Sequence, residues 1–218
     1  MKVLSSYLGI ALFVCGSTAF AQTPTAMDYL VDIASEQGIG ARPAGSESEQ
    51  LTAEYIERQW ILQGFKPYTS SFNINDNTLS RNVIVDIKGK SEKTLIIAAH
   101  YDSTGEKEGS LGATDNASSV AALLALSHNL RNQNLALNLR LIAFGAEEIG
   151  LLGSKAYVQT LSKEELAKLV GMINLDTIVG GDNLYIHSAH IQPYECANTS
   201  ESYNNDASLR DQLLKQAQ

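Results

Sequence analysis

One histidine and five carboxylates stand at, or just beyond, the ends of short apolar runs in this chain. The run LIIAAHYDS ends with His100 and, two residues on, Asp102; GSLGATDNASS brings Asp115 to the mouth of a helix; IAFGAEEIGLLGS closes an apolar stretch with Glu147 and Glu148 side by side; GMINLDTIVGG places Asp176 after a fourth. Each alone has an ordinary explanation. Asp115 suits a helix cap, and an exposed glutamate pair is a common loop feature. Recurring after successive apolar runs, they point to one shared site. Carboxylate oxygens with an imidazole make a donor set suited to zinc, cobalt or manganese. A cation also resolves the glutamate pair, because adjacent carboxylates repel and raise a pKa unless positive charge lies between them. Side chains of neighbouring residues diverge, so one glutamate can bind metal while the other faces substrate as a general base. If the strand before it persists, Asp102 shares a face with His100 and can hold one ring nitrogen, leaving the other for a metal.

The elements that must position these residues alternate. TAMDYLVDIASEQ has helical spacing at Met27, Leu30, Val31 and Ala34, and GIGARPAG is a loop rich in breakers. Ser46 and Glu49 have the spacing of a capping box that opens a helix to about Gln63. RNVIVDIKG and KTLIIAAH are short, β-branched and bounded by polar turns, so they read as strands. NASSVAALLALSHNL reads as a helix, LNLRLIAFGA as a strand, GLLGSKAYVQTL and SKEELAKLV as helices with Ser162 the N-cap of the second. GMINLD and NLYIHS read as strands, and DASLRDQLLKQAQ as the start of a helix. This alternation implies an α/β fold, with a mostly parallel central sheet covered by helices on both faces. In such sheets ligands bind beyond the carboxyl ends of the strands, where the acidic residues fall.

Residues 1–21 read as a secretory signal: Lys2, the apolar YLGIALFVCG, and Ala19-Phe20-Ala21 before Gln22. The apolar stretch is short for a membrane span, so no stable membrane insertion is expected. Residues 22–218 then form one domain, exported to the periplasm or beyond. Losing the leader removes Lys2 and takes the formal charge from −8 to −9, which argues against nucleic acid or an anionic membrane as partner. It also removes Cys15, leaving Cys196 as the sole cysteine of the mature chain and no internal disulfide.

The ordered set AHYDS, GATDNASS, FGAEEIGLLGS and INLDTI resembles the two-zinc exopeptidases of the aminopeptidase Y and bacterial leucyl aminopeptidase family. INLDTIVGGDNLYIHS is most similar to the alkaline phosphatase isozyme conversion aminopeptidase type. The resemblance runs from about Arg42 onward and implies a three-layer α/β/α fold. It further implies that His100 and Asp176 hold one zinc, Asp115 bridges two, Glu148 binds the second, Glu147 is the general base and Asp102 orients His100. The implied substrate is the N-terminus of a peptide or protein. A related two-zinc carboxypeptidase or deacylase shares such motifs, and an inactive peptidase-like binding module is the non-enzymatic alternative.

The family's sixth residue is a histidine on the second zinc, and it is expected well beyond Asp176. His128 lies deep in a helix, and His187 and His190 come too early in the order to serve in its place. The expectation is therefore a chain incomplete at its C-terminal end, binding one zinc firmly and the second weakly.

Overall fold

Val83, Ile84, Val85 and Ile87 in one run, and Ile96 and Ile97 in the next, commit the middle of this chain to a sheet buried on both faces. A computed structural model describes residues 23–105, 107, 110–181, 194–195, 202–203 and 215. The expected leader, the strand NLYIHS, nearly all of the closing helix, and His187, His190 and Cys196 lie outside the described residues. In chain order the elements are α1 (Ala26–Ala34), α2 (Glu47–Leu62), β1 (Tyr68–Asn75), β2 (Thr78–Ile87), β3 (Thr94–His100), α3 (Ser118–Leu130), β4 (Asn138–Phe144), α4 (Leu152–Thr160), α5 (Lys163–Lys168) and β5 (Leu169–Asn174). Two short antiparallel strands follow, β6 (Tyr194–Glu195) and β7 (Ser202–Tyr203).

Strands β1 to β5 form one sheet in the order β1-β2-β4-β3-β5. β4, β3 and β5 run parallel, while β1 and β2 are antiparallel to their neighbours. The parallel centre agrees with the expected α/β architecture, and the antiparallel pair at one edge makes the sheet mixed. Strand β1 was not expected, because YTSSFNIN is mostly polar. It is an edge strand that buries little, and the two-residue Asp76-Asn77 connection folds it back onto β2.

Alternate residues of the central strands face opposite layers. Val83, Val85, Ile97, Leu139 and Leu141 pack against Tyr29, Ile33, Ile56, Trp60, Val120, Leu123 and Leu124 of α1, α2 and α3. On the other face Ile84, Ile96, Ala98, Ile142 and Phe144 pack with Tyr157 of α4. The Tyr157 and Phe144 rings meet edge-on at 5.9 Å. The result is the expected three-layer α/β/α arrangement. Leu141 is fully buried in the middle of β4. Leu141→Ala should therefore cost about 2–5 kcal/mol, read as a lower urea midpoint.

Local signals explain where the helices begin. Thr25 and Asp28 form a capping box on α1, with Thr25 N–H donating to Asp28 at 2.7 Å and Asp28 N–H donating to the Thr25 hydroxyl at 3.3 Å. Ser162 and Glu165 do the same for α5, in agreement with Ser162 as its N-cap. The start of α2 departs from expectation. The Ser46 hydroxyl accepts the Glu49 N–H at 3.1 Å, but the Glu49 carboxylate does not return to Ser46. It turns inward and is buried.

The register of the parallel strands brings their carboxyl ends together. His100 is level with Phe144 of β4, and Ala98 is level with Asn174 of β5. Two residues beyond Ala98 and Asn174, His100 and Asp176 emerge at the same height. The residues following β4 are Gly145, Ala146 and the glutamate pair.

Candidate metal centre

His100 closes β3 and is almost wholly buried, so its imidazole is held rigidly at the sheet end. Its Nε2 lies 3.0 Å from Asp115 Oδ1, 3.9 Å from Asp176 Oδ1 and 3.9 Å from Glu147 Oε2. One ligand atom each from His100, Asp115 and Asp176 lie within 4.8 Å of one another. Five of the six expected residues are thus linked by direct contacts around His100, since Asp102 approaches the other ring nitrogen. Glu148 is not part of the three-residue group. His128 lies in the last turn of α3, apart from this group.

Three loops carry these groups, and buried polar side chains hold each loop. Asp102, fully buried, accepts the N–H of Glu147 at 2.9 Å and that of Glu148 at 3.0 Å, one on each oxygen. Its Oδ1 also faces His100 Nδ1 at 3.5 Å. That contact does not meet hydrogen-bond geometry, and among the described residues Nδ1 has no other partner. Asp102 therefore braces the glutamate turn as well as facing the imidazole.

Asn116 performs the corresponding task for Asp176. Its side-chain N–H donates to Leu175 O at 3.0 Å and its oxygen accepts the Thr177 N–H at 3.1 Å, so it grips the backbone on both sides of Asp176. The same residue follows Asp115 directly, through a cis peptide bond. Thr177 has φ +50° and Ala146, just before Glu147, has φ +52°. Such conformations are costly for residues with a Cβ and persist where surroundings over-determine them. The Ala146 N–H donates to Glu49 at 3.0 Å.

Arg42 organises the third loop. Its guanidinium is fully buried and donates to the carbonyls of Gly40, Tyr101, Leu111 and Gly112, and its own N–H donates to the Ser103 hydroxyl. These bonds lash the segment leading to Asp115 onto the end of β3. Burial pulls the guanidinium down to about 10, an effect the nearby Asp102 charge offsets in part. Gly112 must lack a side chain, because a Cβ there would meet Ser103, Arg42 and the Asp115 carbonyl.

Negative charge dominates the site. Burial alone would lower the His100 pKa, but Asp102, Glu147 and Asp176 together push it up to about 9. Burial raises the carboxyl of Glu147, and the charges of Asp102, Asp176 and Asp115 add to that against the opposing effect of His100. Glu148 is likewise raised by burial and then by Asp115. A set of carboxylates gathered on one imidazole, with Glu147 and Glu148 raised, fits a cation binding among them. One nitrogen and several oxygen donors within coordinating reach are chemically suited to zinc.

Sequence reasoning identified the acids and His100 but not Arg42, Glu49 or Asn116. Asn116 carried a signal, as the polar neighbour of Asp115 in TDNAS. Arg42 and Glu49 sit in a stretch that reads only as loop and cap.

Residues 82–217 match Peptidase family M28. The alkaline phosphatase isozyme conversion protein of Escherichia coli is 29% identical over 170 residues, which cover 67% of this chain and 49% of that one. Aminopeptidase YwaD of Bacillus subtilis is 40% identical over 105 residues, 47% of this chain and 22% of that one. The chain thus spans half or less of the length of these curated relatives. A solved zinc aminopeptidase from Bacillus subtilis superposes with a TM-score of 0.65 at 19% identity, covering 70% of this chain and 68% of that one. At that identity the superposition speaks for the fold.

Proposed function

The chain belongs to peptidase family M28, and from that premise we propose that it is a zinc-dependent aminopeptidase that removes N-terminal residues from peptides or proteins. The observation that carries this reading is the meeting of His100, Asp115 and Asp176 within coordinating distance, with Glu147 beside them. His100 and Asp176 would hold one zinc, Asp115 would bridge to a second, and Glu148 would serve the second. When bound, the metal supplies positive charge that polarises the scissile carbonyl and makes water a stronger acid.

The protein's own groups do the rest. Glu147, on a turn braced by Asp102, would take a proton from the attacking water and deliver it to the leaving amine. Its pKa, raised first by burial, makes the carboxylate a stronger base. Asp102 and Asn116 would keep Glu147 and Asp176 aimed, so little reorganisation accompanies reaction. We read residues 22–218 as belonging to the catalytic domain. Export, to the periplasm or beyond, rests on the leader-like residues 1–21. Among the described residues no helix is long and apolar enough to cross a membrane.

Leucine p-nitroanilide and its N-acetylated form, assayed with and without a chelator and with zinc content measured alongside, test the reading. Hydrolysis of the free amine alone, lost on chelation and regained with zinc, is the expected result. Removal of the acetyl group from the blocked compound alone would replace it with a deacylase reading, and cleavage of N-acetylated dipeptides at a free carboxyl end with a carboxypeptidase reading. Absence of both zinc and hydrolysis would leave a peptidase-like binding module.

A further inference from the structure

The turn that carries the glutamate pair presents three successive N–H groups, and all three donate to buried carboxylates. Asp102 accepts those of Glu147 and Glu148, while Glu49 of α2 accepts that of Ala146 from 97 residues away in the chain. Glu49 Oε1 also accepts the Ser80 hydroxyl at 2.7 Å, and Oε2 accepts the Gly45 N–H at 2.6 Å. These bonds are not those of a helix cap. Burying a carboxylate is costly unless donors surround it, and Glu49 meets three, from the loop before α2, from β2 and from the turn after β4. Ala146 has φ +52°, a conformation that a residue with a Cβ does not favour unaided. Gly145 beside it leaves no room for a side chain, because a Cβ there would meet Ser80, the Arg81 carbonyl and the Tyr101 hydroxyl.

We propose that Glu49 is a positioning residue for the glutamate pair: by holding the Ala146 N–H it fixes the left-handed turn that aims Glu147 and Glu148 at His100, Asp115 and Asp176. Its consequence for turnover rests on the reading of Glu147 as the base, whereas its consequence for the turn does not.

Amide hydrogen exchange in the zinc-free protein tests the turn directly. In Glu49→Ala, protection at Ala146, Glu147 and Glu148 should fall by roughly tenfold more than at Ile97 and Leu141. Glu49→Gln keeps an acceptor within reach of Ala146 and should restore most of that difference. If Glu49→Ala does not fold, Glu49→Asp supplies the comparison, since its carboxylate falls one methylene short of Ala146. In the zinc-loaded protein Glu49→Ala should lower kcat roughly tenfold with little change in KM, and Glu49→Gln should recover it. Equal loss of protection at the turn and the core would reduce Glu49 to a stability residue and overturn the proposal. A loosened turn with unchanged kcat would support Glu49 as the brace of the turn and overturn its consequence for turnover. A wild-type protein that binds zinc without turnover would count against the aminopeptidase reading alone, because the exchange comparison needs no turnover.

Discussion

Glu147→Gln should lower kcat for leucine p-nitroanilide by about 10²- to 10⁴-fold, the usual contribution of a positioned general base, and leave zinc content near that of the unaltered protein. The expectation follows from where the side chain sits. Its carboxylate approaches His100 Nε2 to 3.9 Å but is not among the three groups that converge within 4.8 Å. It is close enough to share the site and distant enough to face a water. Glutamine keeps the length and shape but loses the charge and the proton affinity, so a loss of kcat with zinc content kept identifies a base and not a ligand. A parallel fall in zinc content would instead make Glu147 a ligand and exchange its role with that of Glu148. Unchanged turnover would remove Glu147 from the chemistry altogether.

The residues that would do chemistry were legible because they obey a rule of sheet geometry. Parallel strands end at one edge, so acids that close successive apolar runs must meet there, and His100, Asp115, Glu147 and Asp176 do. The parallel core was legible for a related reason, since IIAA and LRLIAF are apolar at successive positions, as strands of a sheet covered on both faces are. What holds the site was less visible. Arg42 satisfies itself on four carbonyls spread over the loops before α2 and α3, and no local pattern forecasts a partner that is a backbone atom 70 residues away. Glu49 had a sufficient local explanation in Ser46, and tertiary structure redirected it: with Ser80 and Ala146 within reach, three donors outweigh the single N–H that a capping box offers. Strand β1 escaped notice because an edge strand has only one neighbour to pair with and little apolar surface to bury.

Asp102→Ala should weaken zinc binding by roughly 10- to 100-fold and lower folding stability by about 2–5 kcal/mol. Four separate groups depend on this fully buried carboxylate. The N–H groups of Glu147 and Glu148 would lose their acceptors in a partly buried turn, and a donor left unpaired there costs more than the bond contributed. His100 Nδ1 would lose the carboxylate that faces it, and with it the negative charge behind the imidazole that presents Nε2 to Asp115. Arg42, buried with carbonyls only, would lose the negative charge that helps keep it protonated. Asp102→Asn separates these effects. The amide keeps one acceptor and the same volume, so one glutamate N–H stays bonded and stability should fall less than with alanine. Zinc affinity should still drop, because the charge facing the imidazole is gone. Competition with a chelating dye gives the affinity, and urea denaturation of the zinc-free protein gives the stability. Wild-type zinc affinity in Asp102→Asn would show that the carboxylate braces the glutamate turn alone, and that His100 needs no help from Asp102 to present its Nε2.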